Sequence, residues 1–396
     1  DAARNDKRAL YPHAGGCVDA AALSNHATVR GKGMALMASL PANLVCRFGR
    51  SGEVRSDQLS LWQARLACMI FFAAPGLAYG LFVSRVPALT MQVQATADEF
   101  GMVLLCIGIA AVAGLAIASY CIGRFGAKTV LLVGCALALG AVCAAGLASS
   151  VWQLALMVLL SGFGMGLLDV AMNVQGVEVE RQYNAPSMNL LHAGYNIGAF
   201  SGSILGSLFA AAQIGPFVNF LCPSLAFVVM LVWATPRLLD PQHEHLHIDS
   251  SKAPKSQSQA QRARGKTVPL WVYGWGLLAM ISYVVEGSSG EWGSLFVYQE
   301  KQAPESIAAL VYGMYSICAL TCRLGADRLR TIMGDFRLMF VGSLVALSGM
   351  IIVLVSPWWP LCLAGYAVLG TGLAPVVPLL FSLASKFEGI SVEKAT

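Results

Sequence analysis

Charged residues are scarce in this sequence. Asp, Glu, Lys and Arg make up 12% of its 396 residues, whereas 57% of the residues are hydrophobic. A soluble domain of this composition would lack the polar groups needed to cover its surface. The composition therefore excludes an ordinary soluble protein and indicates that most of the surface faces a lipid bilayer.

Patterns typical of enzymes and metalloproteins are also missing. The 11 cysteines contain no CxxC pair, which argues against a zinc ribbon or a thiol-redox motif. No paired catalytic carboxylates or Ser–His arrangement occurs, so we predict no enzymatic activity, no catalytic residues, no cofactor and no metal site. Alternating His243, His245 and His247 could bind a metal, but without fixed partner ligands a solvated linker is the favoured interpretation.

Long apolar segments are abundant instead. A membrane-spanning helix needs about 20 apolar residues. Ten segments meet this requirement, at roughly 64–86, 100–121, 128–148, 151–173, 190–212, 216–234, 269–290, 306–322, 338–355 and 358–384. The sequence therefore predicts an all-α, polytopic membrane protein.

Similar landmarks recur about 204 to 206 residues apart. Arg124-Phe-Gly and Asp327-Arg-Leu both punctuate apolar stretches, and the run Gly164-Met-Gly recurs as Gly370-Thr-Gly. The first apolar segment, from Trp62, has its counterpart near residue 268. Internal duplication of membrane-spanning units is typical of secondary transporters, whose substrate site lies between the two repeats.

The duplication predicts the domain layout. We expect a leader at 1–60 that is disordered or misassigned, a six-helix bundle at 61–234, a cytoplasmic linker at 235–268 and a second bundle at 269–396. Counterparts of segments 190–212 and 216–234 would lie beyond residue 396, so we expect the second bundle to be truncated, with about ten helices in all. A processed targeting segment within residues 1–60 is the alternative.

Basic residues mark one side of the predicted membrane protein. They follow the second, fourth, eighth and tenth segments, whereas the opposite loops hold few charges, and short basic loops are typically cytoplasmic. The residues concerned are Arg124, Lys128, Arg181, Arg323, Arg328, Arg330, Arg337 and Lys386. The net charge of +5 follows from this topology, so we infer no nucleic-acid partner.

Asp169 is a candidate functional residue in segment 151–173. It shares a helix face with Gly162, Gly166 and Asn173 at steps of four, three and four residues. Small residues let a neighbouring helix approach closely, and a carboxylate in the bilayer is costly unless it faces protein or water. A hydrogen-bonded Asp in a helix contact is the alternative.

The next segment has two stripes. Gly194 and Gly206 begin and end a run with glycine at every fourth position, which predicts a close helix contact. His192 and Asn196 form a polar stripe that we expect to line a substrate cavity, where His192 could titrate near physiological pH. A histidine held by loop carbonyls is the alternative.

Segment 269–290 combines an acid with a run of small residues. Glu286 precedes Gly287 to Gly290, a stretch that predicts a break in the helix, and Tyr283 and Trp292 flank it as candidate cavity residues. Because transporters use such interruptions at their sites, we predict that Glu286 couples transport to protons, with Asp169 as the second candidate. The alternative is that Glu286 simply marks a helix end near solvent.

Several of these motifs resemble a known family. Arg323-Leu-Gly-Ala-Asp327-Arg328 resembles the loop signature of the major facilitator superfamily, although Cys322 stands where that family usually has glycine. The resemblance implies two bundles that alternate access to a central site, with gating loops that contain Arg124, Lys128, Arg323, Asp327 and Arg328.

Other runs are similar to an uncharacterised bacterial branch related to fucose permeases. They are Asp169-Val-Ala-Met-Asn-Val-Gln-Gly176, Met188-Asn-Leu-Leu-His-Ala-Gly194 and Glu286-Gly-x-x-x-Glu-Trp292. We therefore predict a monomeric secondary transporter in a bacterial inner membrane, which moves a small, sugar-like polar solute together with protons. A drug or metabolite exporter and a non-transporting membrane sensor are the alternatives.

Overall fold

The computed structural model describes residues 60–185, 187–239, 270–376 and 378–380, with the backbone alone at 189, 270–273, 275 and 327. The predicted leader and most of the predicted linker, including the three histidines, lie outside the described residues. Every element within the described ranges is helical.

Twelve α-helices occur in these ranges. They are α1 (Leu61–Ser84), α2 (Val86–Val93), α3 (Ala97–Phe125), α4 (Ala127–Ala145), α5 (Val151–Tyr183), α6 (Met188–Ala211), α7 (Pro216–Ala234), α8 (Leu270–Gln299), α9 (Glu305–Ala308), α10 (Val311–Met333), α11 (Asp335–Val355) and α12 (Trp359–Leu373). A short 3-10 helix, Thr235–Arg237, follows α7. Each of the ten predicted segments corresponds to a long helix, which confirms the all-α prediction.

Eight helices of the described part are long and apolar enough to cross a membrane. The long helices α6 and α8, which also match predicted segments, fall outside this set. The described part thus has ten long helices, which agrees with the prediction of about ten.

Local sequence explains several helix ends. Ser60 and Thr96 begin α1 and α3 through reciprocal side-chain and backbone hydrogen bonds with Gln63 and Glu99. The turns after α3 and α10 need a residue with positive φ, and the sequence places Gly126 (84°) and Gly334 (76°) there.

Two predicted helix boundaries were wrong. Residues Arg323 to Arg328 lie inside α10, which continues to Met333 before the turn at Gly334. Helix α8 is also continuous through Gly287 to Gly290, where a break was expected. Ser289 donates a hydrogen bond to the carbonyl of Val285 at 2.7 Å, which satisfies its hydroxyl without breaking the helix.

Close glycine contacts hold the first half together. A Cβ at Gly198 of α6 would lie 2.2 Å from the carbonyl oxygen of Ala73 in α1, and Gly194, Gly202 and Gly206 also face α1 at contact distance. The predicted packing role of this glycine stripe is confirmed. Helices α3 and α5 meet in the same way, because a Cβ at Gly166 would lie 2.1 Å from the oxygen of Ala111.

A glycine contact between α3 and α5 recurs between α10 and α12 in the second half. A Cβ at Gly162 would lie 2.4 Å from the carbonyl oxygen of Ile107, and a Cβ at Gly370 would lie 2.4 Å from that of Tyr315. Gly370 and Tyr315 lie 208 residues after Gly162 and Ile107, respectively. The turn residues Gly126 and Gly334 are separated by the same 208 residues. The duplication predicted from sequence is therefore present in the structure, with an offset of 208.

The predicted offset of 206 was wrong for a physical reason. Glycine occurs at 162, 164 and 166, so a slip of two residues still aligns glycine with glycine. The neighbours resolve the ambiguity: Gly164 packs on the backbone nitrogen of Ala138, and Gly372 packs on that of Ala346.

Candidate functional site

The helices define two ends of the protein. The Arg85 end contains Arg85, which lies between α1 and α2, and there the Gln92 side chain donates hydrogen bonds to the carbonyls of Gly146 (3.1 Å) and Ala148 (2.7 Å). The Arg124 end contains Arg124, near the end of α3, and there Gln175 donates a hydrogen bond to the carbonyl of Leu239 at 2.9 Å.

Contacts near the Arg85 end join the two halves. The Ser294 hydroxyl of α8 donates to the carbonyl of Val83 in α1 at 2.6 Å. Trp292 packs edge-on against Phe100 of α3, with ring centroids 5.4 Å apart. The structure therefore places Trp292, predicted as a cavity residue, at the contact between the halves.

Four tyrosines from three helices form a cluster beside this contact. Tyr312 of α10 packs edge-on against Tyr79 of α1 with ring centroids 5.0 Å apart and stacks on Tyr315 with centroids 5.7 Å apart. The side chains of Tyr195 in α6 and Tyr312 are joined by a hydrogen bond. The cluster thus connects first-half helices α1 and α6 with second-half helix α10.

Sequence analysis missed this tyrosine cluster. A usable signal was present, because Tyr312 and Tyr315 are three residues apart and therefore neighbours on one helix face. A buried tyrosine hydroxyl in an apolar helix also needs a partner. The contributions of α1 and α6 became visible only in the folded arrangement.

Glu286 lies next to the tyrosine cluster. It is half-buried on α8, and the Tyr315 hydroxyl shares a hydrogen bond with its carboxylate. The positive charge of Arg323 on α10 acts on the same carboxylate. An acid, a guanidinium and a phenol from two second-half helices therefore interact electrostatically.

Arg323 differs from its prediction in position. It was expected in a cytoplasmic loop, but it lies inside α10 with its Nε buried and without a hydrogen-bond partner. Its charge reaches Glu286 and Tyr283 in the second half and His192 in the first. The reason for the difference is that α10 continues for more than two turns past the first charged residue that was taken as its end.

Asp169 and His192 provide the polar groups of the first half. Both are exposed in the protein alone, and their charges act on each other. Asn173 donates a hydrogen bond to the backbone carbonyl of Asp169 at 2.7 Å, and the His192 ring packs edge-on against Phe72 with centroids 5.0 Å apart. The charge of Arg323 also acts on His192, so ionisable groups of the two halves interact electrostatically.

Two further predicted residues lie on the helices that carry His192 and Glu286. Asn196 is 4% exposed, and its Nδ2 has no hydrogen-bond partner. Tyr283 is 54% exposed and lies within electrostatic reach of Glu286, Arg323 and Asp169. We call the whole group the central cluster; it comprises Asp169, Asn173, His192, Tyr195, Asn196, Tyr283, Glu286, Tyr315 and Arg323.

The other predicted gating residues lie at the Arg124 end. Arg124 and Arg328 are exposed, Lys128 is half-buried, and the side chain of Asp327 lies outside the described residues. A charged contact that the sequence did not predict closes the turn between α10 and α11, where Arg330 bonds the carboxylate of Asp335.

The described residues contain no group of three or more His, Cys, Asp and Glu side chains arranged to hold a metal ion.

Comparison with known proteins decides the family. The sequence model described as Major Facilitator Superfamily matches residues 66–388. The chain belongs to this superfamily. The family predicted from the loop signature is therefore confirmed, and the protein is a membrane transporter by family.

Two curated relatives carry similar descriptions. The chain is 29% identical to an uncharacterised transporter, y4wD, of Sinorhizobium fredii over 79% of the chain and 80% of that protein. It is 26% identical to an uncharacterised MFS-type transporter of Yersinia pestis, over 80% of the chain and 78% of the relative.

Solved transporters share the fold. The nucleoside transporter NupG superposes with a TM-score of 0.62 at 12% identity, over 84% of each chain. A D-xylose–proton symporter gives a TM-score of 0.58 at 16% identity over 82% of each chain. The superfamily transporter FucP gives 0.54 at 15% identity, over 84% of this chain and 85% of its own. These likenesses concern the fold, and they agree with the predicted multi-pass architecture.

Proposed function

We propose that the protein is a proton-coupled secondary transporter that moves a small polar solute by alternating access. The observation that carries this proposal is the central cluster, in which the charge of Arg323 acts both on Glu286 of the second half and on His192 of the first. Ionisable side chains in membrane helices are costly, and they are typical of substrate and proton pathways. Their convergence between two repeats is the arrangement that secondary transporters use.

Glu286 is the group we assign to proton coupling. Its carboxylate has two stabilising neighbours, the Tyr315 hydroxyl and the Arg323 guanidinium. When Glu286 binds a proton, Arg323 loses its counter-charge, and the interaction across α8 and α10 weakens. Proton binding therefore changes the contacts of a residue that also faces the first half.

The solute class follows from the neutral groups of the cluster. Asn173 and Asn196 supply amides that donate and accept hydrogen bonds, and Tyr195 and Tyr283 supply hydroxyls beside aromatic faces. This combination suits a small polyhydroxylated ring. A D-xylose–proton symporter and a nucleoside transporter among the fold relatives are consistent with such a solute.

Orientation and gating complete the proposal. We infer that the Arg124 end is cytoplasmic in a bacterial inner membrane, because its turns are rich in Lys and Arg. Arg124, Lys128, Asp327 and Arg328 remain the candidates for the gate at this end, and we expect the transporter to act as a monomer.

Flux measurements in proteoliposomes test this function. A panel of radiolabelled pentoses, hexoses and nucleosides is offered with an inward proton gradient, with a matched sample lacking the gradient. We expect at least one solute to accumulate only when the gradient is present. Gradient-driven efflux would indicate an exporter instead, and absence of flux for solutes that bind would favour a membrane sensor.

A further inference from the structure

Arg85 is a buried arginine at the junction between α1 and α2. It is 3% exposed, and burial lowers the pKa of its guanidinium, while the neighbouring Glu305 carboxylate opposes that shift. Taking a charge out of water is expensive unless partners compensate for the lost hydration. The partners of Arg85 should therefore reveal what this residue is for.

Two of the three contacts of Arg85 stay within the first half. Nη1 donates a hydrogen bond to the side-chain oxygen of Asn219 in α7 at 3.2 Å, and Nη2 donates to the carbonyl of Ile214 at 2.9 Å. These bonds tie the α1–α2 junction to the α6–α7 connection. Neither bond involves a residue of the second half.

The third contact crosses to the second half. The Nε of Arg85 lies 2.9 Å from Oε1 of Glu305, the first residue of α9, and the Glu305 side chain is 23% exposed. The ion pairs Arg181–Glu178 and Arg330–Asp335 each lie within one half. The Arg85–Glu305 pair therefore differs from them, because it would break if the halves separated at this end.

Arg85 and Glu305 differ in their burial and in their other contacts. When the halves part, Arg85 keeps Asn219 and Ile214, so it remains ordered and partly compensated. Glu305 is already partly exposed and needs only to gain water. Opening therefore breaks the ion pair, but neither charge is left buried without a hydrogen-bonding partner. This property suits a contact that is made and broken repeatedly.

We propose that Arg85 and Glu305 form a latch that holds the Arg85 end closed and is released when the transporter opens at that end. The proposal rests on the alternating access argued above. Ser294 and Val83 make a hydrogen bond at the same contact between the halves and would separate in the same movement.

Glu305→Gln is the variant of choice. It keeps the size of the side chain and removes its charge, while the two first-half bonds of Arg85 remain. The matched control is Glu300→Gln, which removes the charge of an exposed acid at the same end. Arg85→Lys is a second variant, because lysine keeps the charge but lacks the fork that reaches three partners.

Hydrogen–deuterium exchange of the purified full chain in nanodiscs measures the effect. Losing one partner of a buried pair should shift the ratio of open to closed forms by about tenfold or more. We expect faster exchange in Glu305→Gln for peptides at the Arg85 end (86–93 and 303–310) and slower exchange at the Arg124 end (176–185 and 319–326), because opening one end closes the other. Arg85→Lys should change exchange in the same directions, and Glu300→Gln should match the unmodified protein.

Two results would overturn the latch. Unchanged exchange at both ends in Glu305→Gln would show that the pair does not hold the end closed. Faster exchange at the Arg85 end without slower exchange at the Arg124 end would show local loosening only. The experiment needs no solute, so its failure is distinct from a failure of the flux measurements, which test transport itself.

Discussion

Glu286 shows how much depends on a single residue's surroundings. The sequence identified it as an acid in an apolar segment, and the structure adds a hydrogen bond with Tyr315 and the charge of Arg323. These neighbours separate it from Glu300, which is exposed. Its candidacy for proton coupling therefore rests on two neighbouring groups, both of which lie on α10.

Replacing Glu286 with Gln should uncouple transport. A membrane potential of 100 mV supplies about 2.3 kcal/mol for each proton that crosses with a solute molecule. This free energy supports roughly fifty-fold accumulation of the solute. Gln has the size of Glu and can form hydrogen bonds, but it does not titrate. We therefore expect the ratio of internal to external solute in Glu286→Gln to fall to about one at equilibrium. Solute counterflow should persist, and both quantities are measured in proteoliposomes.

Glu286→Asp is the matched control for this experiment, since it retains a titratable carboxylate and should retain some accumulation. Normal accumulation by Glu286→Gln, with an unchanged pH dependence, would rule out the coupling role and move attention to Asp169. Loss of counterflow together with accumulation would instead identify Glu286 as a solute contact.

At the scale of helices, glycine contacts decide how closely elements approach. Helix α6 lies against α1 along a stripe of four glycines, whereas a Cβ at Gly140 of α4 would have no atom within 4 Å apart from the nearby backbone of its own helix. Glycines of the same sequence therefore differ in what they do, and the structure separates those that permit a helix contact from those that do not.

Gly198→Ala should destabilise the first half. The new Cβ would lie 2.2 Å from the Ala73 carbonyl oxygen, a backbone atom that moves only if α1 moves. Overpacking of this kind costs about 1–3 kcal/mol. We expect a lower midpoint in a thermal-unfolding scan of the detergent-solubilised protein. Gly140→Ala is the control and should leave the midpoint unchanged or slightly higher, and a Gly198→Ala midpoint equal to that control would contradict this account.

The sequence predicted the helices correctly, but it did not predict where α10 ends or which side chains meet between helices. Apolar runs of about 20 residues located all ten long helices, because the bilayer imposes that length. Charge was a poor guide to where a helix ends: Arg323 is the first charged residue of α10, yet the helix continues to Met333. The tyrosine cluster draws on α1, α6 and α10, and the relative rotation of three helices is set by packing that no single segment encodes.

The molecule as a whole is built from two related halves. The turn at Gly126 and the helix contacts of Gly162 and Gly164 recur after 208 residues, so these parts of the two halves share helix order and packing. They differ in their charges: the first half brings Asp169 and His192 to the central cluster, and the second brings Glu286 and Arg323. A duplicated scaffold with diverged polar residues is typical of a transporter whose two halves have different tasks.

Reporter fusions test the proposed orientation of the molecule. Because Lys and Arg concentrate at the Arg124 end, fusions after Lys128 and Arg330 should report the cytoplasm, and a fusion after Gln302 should report the opposite side. Alkaline phosphatase and green fluorescent protein give opposite signals at each site, which makes the readout internally controlled. Two of the three sites on the wrong side would reverse the assignment.

The glycines of α5 serve two neighbours in turn. Gly162 and Gly166 meet the backbone of α3, whereas Gly164 between them meets the backbone of α4. A helix that contacts one partner restricts its residues about every third or fourth position. A helix packed between two partners on opposite faces restricts every second position instead, because residues two apart point in nearly opposite directions, and this alternation is normally associated with β-strands. Alternating small residues in an apolar segment can therefore reveal a helix with neighbours on two sides.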